Sequence, residues 1–390
     1  MSISASTFLY LTVFTLTCFF TYKAEKKIDL HINTKKKSAK RLAILYSFIA
    51  LFIPSLLAGM RADTVGKDVL EYAIRTFDLA NTSSFIETFK LTTEPFGYAL
   101  LAYITSLFAD DAGAFLFTSQ VMVIVPIYLI AYKYRSVTPM WQTMLAYMFL
   151  FYNNSFNVMK QSVSAVFILL FYIYMNEQKY RKMLACFIVA FSFHFSAVFG
   201  LVFIFIVKFL NGKKNKETKI TFIVTVILML VNLRSISRLL LALSLLPEKY
   251  AKNIEAVFSS DTNVYLRIKG FNKHVFFDWV YRFLLLLLPL RTIKKIRPDF
   301  DKNIRLLPVL GFAFYTYVLL LFNTIYGIRI SLYCDMFTIL TVPMFAYRFK
   351  RKKIEDKIKV NAFIIGFMGL YWFVWVMLYG WSGSNHYIFR

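Results

Sequence analysis

The chain has 390 residues, 58% of them hydrophobic and only 17% charged, and carries a formal charge of +25. A soluble domain would be about half apolar and about a quarter charged, so the composition excludes an ordinary soluble protein and points to lipid-embedded helices. The positive charge then reads as the basic bias of cytoplasmic loops rather than as a nucleic-acid surface.

Apolar runs of about 20 residues, the length a helix needs to cross a bilayer, recur along the chain. The first, 2–22, has no basic stretch before it and no small-residue cleavage site, which predicts a retained span rather than a signal peptide. The second is 42–60. Residues 61–112 follow as an outer-side segment, and within them the apolar stretch 96–109 is too short to cross; it is expected to be interfacial or re-entrant. The next spans are 113–132, 139–152 and 156–176, then a short hairpin of 183–193 and 196–209, then 220–246. An outer loop at 247–273 precedes the last spans, 274–290, 306–326, 330–347 and 360–380. No continuous period-two alternation marks a barrel. The expected fold is an all-α polytopic integral membrane protein of about 12 transmembrane helices (roughly 10–13), a single membrane domain over 1–390.

Orientation comes from charge. Six basic segments, 23–41, 133–135, 179–182, 208–219, 291–305 and 348–359, hold 31 of the 46 Lys and Arg residues. Placing all six in the cytoplasm leaves the other basic residues nearly balanced by acidic ones, so the bias accounts for nearly all the net charge. Both chain ends then lie outside. The hairpin follows from the same logic, because one long span over 183–209 would put Lys213, Lys214 and Lys216 outside. Short or broken helices are tolerated where they line a cavity. The three cysteines, Cys18, Cys186 and Cys334, lie in apolar runs and have neither metal nor disulfide spacing.

Ionisable groups at or inside spans are costly and therefore functional candidates. Arg61 ends the second span and opens a segment containing Asp63, Gly66, Lys67, Asp68, Glu71 and Tyr72. A guanidinium at a membrane mouth suits phosphate, Gly66 permits a tight turn, and Asp68 can hold the Arg or position a hydroxyl; a local ion pair in a charged interfacial loop explains the same residues. Glu94-Pro95 reads as a helix start, with Glu94 a cap or a site residue. Lys160-Gln161 follows Asn153, Asn154 and Asn157, as the wall of a polar pocket or as a snorkelling Lys. Of the four His, only His194, in Ser192-Phe193-His194-Phe195-Ser196-Ala197, lies deep in an apolar run, as a core residue or as a proton-transfer group. Arg329, with Ser331, Tyr333 and Asp335 after it, goes against the charge bias on the outer side, as do Arg234, Arg238, Arg267, Lys269 and Lys273. Cations around an outward cavity fit an anionic lipid head group such as a diphosphate. There is no P-loop, dinucleotide fingerprint or HExxH motif, and no carboxylate spacing suggests a metal. The cytoplasmic loops are too short for a nucleotide-binding domain, so any activated donor must reach the outer side already activated.

Five of these places together resemble the EpsG family, the branch of Wzy-type bacterial polymerases for exopolysaccharide, capsule or O-antigen. Arg61…Val65-Gly66-x-Asp68…Tyr72 is similar to its Arg…Val-Gly-Thr-Asp…Tyr signature, and Glu94-Pro95-x-x-Tyr98 to its Glu-Pro-aromatic helix start. Asn157-Val158-Met159-Lys160-Gln161 resembles Asn-x-x-Arg-Gln, Phe193-His194-x-Ser196-Ala197 resembles Phe-His-x-Ser-Ala, and Arg329-Ile330-x-x-Tyr333 resembles a late Arg-x-x-x-Tyr element. Two departures stand out: Lys67 replaces Thr, and Lys160 replaces Arg, which keeps the charge but loses the fork.

The resemblance implies a bacterial inner-membrane glycosyltransferase of lipid-linked sugars with GT-C-like architecture. It would transfer a growing glycan from undecaprenyl diphosphate to the non-reducing end of another undecaprenyl-diphosphate-linked repeat unit, with no cofactor, metal or nucleic acid, and with membrane lipid and a chain-length regulator protein as partners. Arg61, Lys160 and Arg329 would hold the leaving diphosphate. His194 would be the base and Asp68 its positioning partner. Gly66, Tyr72, Glu94, Gln161 and Tyr333 would bind glycan or support the site. A flippase for the same lipid-linked oligosaccharide, a glycan ligase and a membrane acyltransferase are the alternatives.

Overall fold

The computed structural model describes residues 1–212, 215–220, 223, 273–293, 302–322, 326–347 and 354–390. Arg234, Arg238, Arg267 and Lys269, all of the 220–246 span except residues 220 and 223, and all but the last residue of the 247–273 loop therefore lie outside the described residues, whereas Lys273 begins a helix.

Helix α1 (Ile3–Thr34) starts where the Ser2 hydroxyl accepts from the Ala5 amide and stops at Lys35, whose left-handed backbone has φ 55°. At 1.5 Å per residue it is about 48 Å long, well beyond a hydrocarbon core of about 30 Å. Its last turns carry the first charged residues of the first basic segment, among them Lys26, Lys27 and Asp29. Two residues later α2 (Lys37–Gly59) returns alongside it. The segment 61–112 folds into a π-helical turn (Val69–Ile74) leading into α3 (Arg75–Thr82), then α4 (Phe85–Leu91) and α5 (Phe96–Ser106). Eleven residues make α5 about 16 Å long, too short to cross, as expected. Then come α6 (Ala112–Tyr134), α7 (Met140–Tyr147) running through a second π turn (Met148–Tyr152) into the single turn α8 (Asn153–Ser155), and α9 (Met159–Asn176). Helices α10 (Tyr180–Phe193) and α11 (Ala197–Asn211) follow. The last group is α12 (Lys273–Ile293), α13 (Lys302–Phe322), α14 (Tyr326–Asp335), α15 (Thr338–Tyr347) and α16 (Ile354–Trp372), which ends in a third π turn (Phe373–Leu378). Among the described residues there is no strand, only one isolated bridge between Arg61 and Phe389.

Among the described residues, five helical stretches are long and apolar enough to span a membrane: Ile3–Thr34, Lys37–Gly59, Ala112–Tyr134, Asn303–Leu320 and Ile358–Leu378. The chain is a membrane protein built of helices. The expected spans at 156–176 and 330–347 are interrupted. The first yields to a turn at Phe156–Val158, because α9 begins only at Met159. The second divides at Met336–Phe337, where Thr338 Oγ1 donates to the Asp335 carbonyl at 2.6 Å in place of a helical amide.

The two ends of the bundle differ in the residues they gather. At one end Asp29 lies 3.9 Å from Arg135, Lys133 pairs with Glu177 at 2.6 Å, and Glu25 accepts from the Met140 amide at 3.0 Å. Helix α10 rises from that end and stops at His194. The chain reverses there, and α11 returns until Asn211 meets Asn303 in the first turn of α13. The hairpin thus turns at His194–Ser196, where His194 is extended (φ −159°, ψ 121°). The other end gathers Met1, the 60–68 segment, Glu94, Asn153–Gln161, His194–Ser196, Arg329 and residues 379–390.

Many polar groups buried between helices are paired, which offsets the cost of an apolar surrounding. Asn153 is the clearest case: its Oδ1 accepts from Trp372 Nε1 at 2.8 Å and its Nδ2 donates to Ser384 Oγ at 3.0 Å. Asn153→Ala would leave both partners unsatisfied. A loss of about 1–3 kcal/mol is expected, read as a lowered melting temperature of the purified protein in detergent; an unchanged melt would refute it.

Candidate active site

The 60–68 segment is built against residues 379–390. The Ala62 amide donates to the Ile388 carbonyl at 2.8 Å, the Arg390 amide to the Met60 carbonyl at 2.8 Å, and the Gly66 amide to the Gly383 carbonyl at 3.0 Å. Lys67 Nζ lies 5.5 Å from the Trp381 ring centre. Gly66 has φ 108°, and a Cβ there would sit 2.8 Å from the Phe156 carbonyl oxygen and 2.7 Å from Val69 Cγ2. Only glycine fits both restrictions. The sharp turn delivers Asp68, whose amide donates to Asn157 Oδ1 at 3.0 Å.

Arg61 does not open onto the mouth. It is 1% exposed, its Nη1 donates to the Ala58 carbonyl at 2.8 Å, its Nη2 reaches Met159 Sδ at 3.2 Å, and the Phe156 ring lies 4.2 Å from its guanidinium carbon. Tyr10, Tyr98, Tyr152 and Tyr387 surround it. Burial pulls its pKa down to about 10, opposed by those hydroxyls, so it stays charged at neutral pH. Arg61 Nε and the Tyr98 hydroxyl have no hydrogen-bond partner among the described residues.

Lys160, in the first turn of α9, is ion-paired with Glu94 at the entry to α5. Its ammonium also lies 4.3 Å from the Tyr72 ring centre and 5.5 Å from that of Tyr98. The pair is largely enclosed, with side-chain exposures of 19% for Lys160 and 6% for Glu94. Glu94 thus bonds a cation, while Pro95 takes the N-cap position of α5. Arg329 is different. Its side chain is 50% exposed, and its Nη2 stands 3.6 Å from Asp68 Oδ2. Burial raises the Asp68 carboxyl above its ordinary range, while Arg329 and then Lys160 pull it back.

His194 faces the same end. The Ser196 amide donates to His194 Nδ1 at 3.2 Å, and Ser196 Oγ lies 2.6 Å from the same nitrogen. A backbone N–H can only donate, so Nδ1 is an acceptor and the neutral ring carries its proton on Nε2. Ser196 Oγ continues to the Tyr333 hydroxyl at 2.8 Å, and Tyr333 to Ser164 Oγ at 3.1 Å. Gln161 Nε2 donates to the Arg329 carbonyl at 2.5 Å, tying α9 to α14. Close packing seats the hairpin: a Cβ on Gly97 would lie 2.4 Å from Ser192 Oγ and 2.8 Å from the Phe193 ring, so α5 crosses α10 one turn before His194.

Arg61, Gly66, Asp68, Tyr72, Glu94, Lys160, Gln161, His194, Arg329 and Tyr333 thus lie at one end of the bundle, but at two depths. Asp68 and Arg329 lie at the surface there, Tyr72, Lys160, Glu94 and His194 are partly or largely enclosed beside them, and Arg61 and Tyr333 are packed below. The EpsG family model matches residues 44–389, nearly the whole chain. The chain belongs to the EpsG family. EpsG proteins are glycosyltransferase-like polysaccharide polymerases, which gives the chain a polymerase-like role. No curated protein and no solved structure matches it. Sequence reasoning passed over two parts of this EpsG protein: residues 379–390 as the floor under the Arg61–Asp68 segment, and Ser196 as the group that fixes the His194 tautomer. The Ser two residues after the lone His was the available signal for the second.

Proposed function

We propose that the chain is a polysaccharide repeat-unit polymerase of the bacterial inner membrane, crossing it about twelve times in a GT-C-like arrangement, with the site opening outward. The reaction transfers a glycan from undecaprenyl diphosphate to the non-reducing sugar of a second undecaprenyl-diphosphate-linked repeat unit. The observation that carries this reading is the exposed Arg329–Asp68 pair, which brings a cation and a half-buried carboxylate from distant parts of the chain together at the surface of the polar end.

The three cations divide by access. Arg329 is exposed and only loosely paired, so a diphosphate can displace Asp68 from it. Lys160 keeps Glu94 and contributes its field from one side. Arg61 contributes its charge from below and positions the Asp68 turn. Donor binding at Arg329 therefore frees the Asp68 carboxylate. The acceptor hydroxyl attacks the anomeric carbon of the donor, its proton passes to Asp68, and the bond to the diphosphate breaks with its electron pair leaving on that group, where Arg329 stabilises it. His194 offers an N–H at Nε2 rather than a lone pair, so in this reading it donates to a substrate oxygen, and Asp68 takes the role of base that the sequence had given to His194.

Deleting the gene should leave single-repeat glycans on the final acceptor. Loss of all outer-side repeat units would instead overturn the reading and favour a flippase. A pH profile tests the base. Activity needs Asp68 ionised, and its pKa is raised, so the acid limb of kcat/KM should lie above that of an exposed aspartate. Removing a nearby positive charge raises the pKa further. Arg329→Gln should move the limb to higher pH, and Lys67→Met should move it less in the same direction. A shift to lower pH in either variant would count against Asp68 as base.

A further inference from the structure

Helix α14 serves the polar end of the bundle with one face only. Arg329 and Tyr333 lie four residues apart on that face, and its ties to α9 there are neutral. Gln161 Nε2 donates to the Arg329 carbonyl at 2.5 Å, and the Tyr333 hydroxyl meets Ser164 Oγ at 3.1 Å. Ser331 and Asp335 are also four apart but offset by two positions, which turns them about 200° around the helix. On that opposite face stands an ionic cluster. Arg282 on α12 donates from Nη1 to Asp335 Oδ2 at 2.6 Å and from Nε to both oxygens of Asp278, at 3.0 and 2.9 Å. Ser331 Oγ donates to the same Asp335 oxygen at 2.8 Å, and the Tyr371 hydroxyl to Asp278 Oδ1 at 2.8 Å. Asp278 is fully buried.

Ionisable groups among apolar helices are expensive, and joining α12 to α14 needs only one ion pair. The cavity beside the cluster has a volume of only about 40 Å³, room for little more than water, so a ligand does not account for the second carboxylate. Rigidity does. A lone Arg–Asp pair lets both side chains follow a helix that slides. Here each partner is locked to its own helix. Asp278 grips Arg282 from one turn before it on α12, and Tyr371 on α16 holds Asp278 in turn; Ser331 holds the Asp335 carboxylate from one turn before it on α14. The link between the two helices therefore has no slack. Helix α13 fixes distance rather than register, because its contacts with α14 are made at glycines: a Cβ on Gly311 would lie 2.5 Å from Cys334 Cβ, and one on Gly327 3.0 Å from Val318 Cβ. Helix α14 also stops at Asp335, so it does not inherit its register from α15.

We propose that Asp335 and Arg282 are positioning residues for the reaction: their locked link sets the register of α14 and thereby holds Arg329 against Asp68. The proposal rests on the polymerase reading for what that pair does. Arg329 and Asp335 are six residues apart, about 9 Å along the axis. A slip or turn at the anchored end is therefore carried by the helix to the guanidinium, which stands 3.6 Å from the Asp68 carboxylate.

The test is the acid limb of kcat/KM in Asp335→Asn, measured on full-length protein in detergent with lipid-linked repeat units. The Asp68 carboxyl faces Arg329, Lys160, Glu71 and Lys67, and of these only Arg329 is on α14. Removing a negative charge at 335 would by itself favour ionised Asp68 and move the limb to lower pH. Displacing Arg329 does the opposite. The limb should therefore move to higher pH, as in Arg329→Gln, and the plateau of kcat/KM should fall by about ten- to a hundredfold, the cost of misplacing a group by about 1 Å. In an Arg329→Gln background the same substitution should move neither much further, because both changes act through one guanidinium. Ser331→Ala loosens Asp335 without removing a charge; it should shift the limb less, in the same direction, and serves where Asp335→Asn does not fold. Thr316→Val instead loses the Trp279 bond between α12 and α13, and should lower the melting temperature with the limb in place. A limb that stays or moves to lower pH in both Asp335→Asn and Ser331→Ala, or losses that simply add to those of Arg329→Gln, would overturn the proposal and leave a structural tie. If wild type extends no glycan, the polymerase reading itself fails. Infrared titration of the Asp68 carboxyl, taken as the difference from Asp68→Asn, then judges the anchor alone: a midpoint raised by Asp335→Asn supports it, and an unchanged midpoint refutes it.

Discussion

Replacing Asp68 with Asn is expected to lower polymerisation by about 10²–10⁴-fold, the usual contribution of a positioned general base, with the protein at its normal level in the membrane. The substitution is nearly isosteric, and the amide that holds the turn in place, Asp68 N–H to Asn157 Oδ1, is untouched. What disappears is the group that can take the acceptor proton and the partner of Arg329. Donor binding should survive, because Arg329 is released rather than removed. Cells would then accumulate single-repeat glycan, and purified protein would still bind lipid-linked donor. His194→Ala is the informative comparison. The tautomer set by Ser196 makes His194 a donor, so its loss should cost less than the loss of Asp68 and leave the acid limb of the pH profile in place. A larger defect in His194→Ala, with that limb abolished, would restore the histidine as base.

Gly66→Ala should be strongly damaging. Two penalties add at this position. A φ of 108° is a conformation that L side chains rarely adopt, and the new methyl would press on the Phe156 carbonyl, part of the backbone turn before α9. Strain of this kind costs on the order of 1–3 kcal/mol. Relief requires the turn to open, which moves Asp68 away from Arg329, so activity should fall with stability. Gly380→Ala makes a fair control. Its φ is 60°, and the added methyl would meet only the Asn385 side chain at 3.0–3.2 Å, a flexible neighbour. The melting temperature should drop in both variants, polymer formation chiefly in Gly66→Ala. Full activity in Gly66→Ala would remove the turn from the mechanism.

The sequence made the polar end of the bundle readable for a simple reason. Basic residues avoid translocation, so the few cations outside the basic segments had to lie at the other end, and Arg61, Lys160 and Arg329 do. The break at His194 was also legible, because the basic residues after α11 demanded a return. What could not be read was depth. Arg61 closes an apolar run and therefore looks like a mouth residue; its burial depends on Tyr10, Tyr98, Tyr152 and Tyr387 converging from four elements. Residues 379–390 hold the 60–67 segment largely through backbone bonds, which leave no side-chain pattern. The inner cluster did leave a mark that was missed: Asp278 and Arg282 stand four apart on α12, opposite charges at helical spacing in a run otherwise rich in leucine.

The three π-helical turns have a consequence of their own. They lie at Val69–Ile74, Met148–Tyr152 and Phe373–Leu378, all at the polar end of the bundle. A π turn holds one residue more than the α turn it replaces, and one residue is about 100° of rotation. Adding or deleting a residue there re-aims the side chains beyond the turn, and the third turn closes the stretch Ile358–Leu378, so a register change at it is felt at the end of a spanning helix. In the proposed polymerase, the side chains at the polar end can thus be turned by a single residue of register without rebuilding the whole bundle.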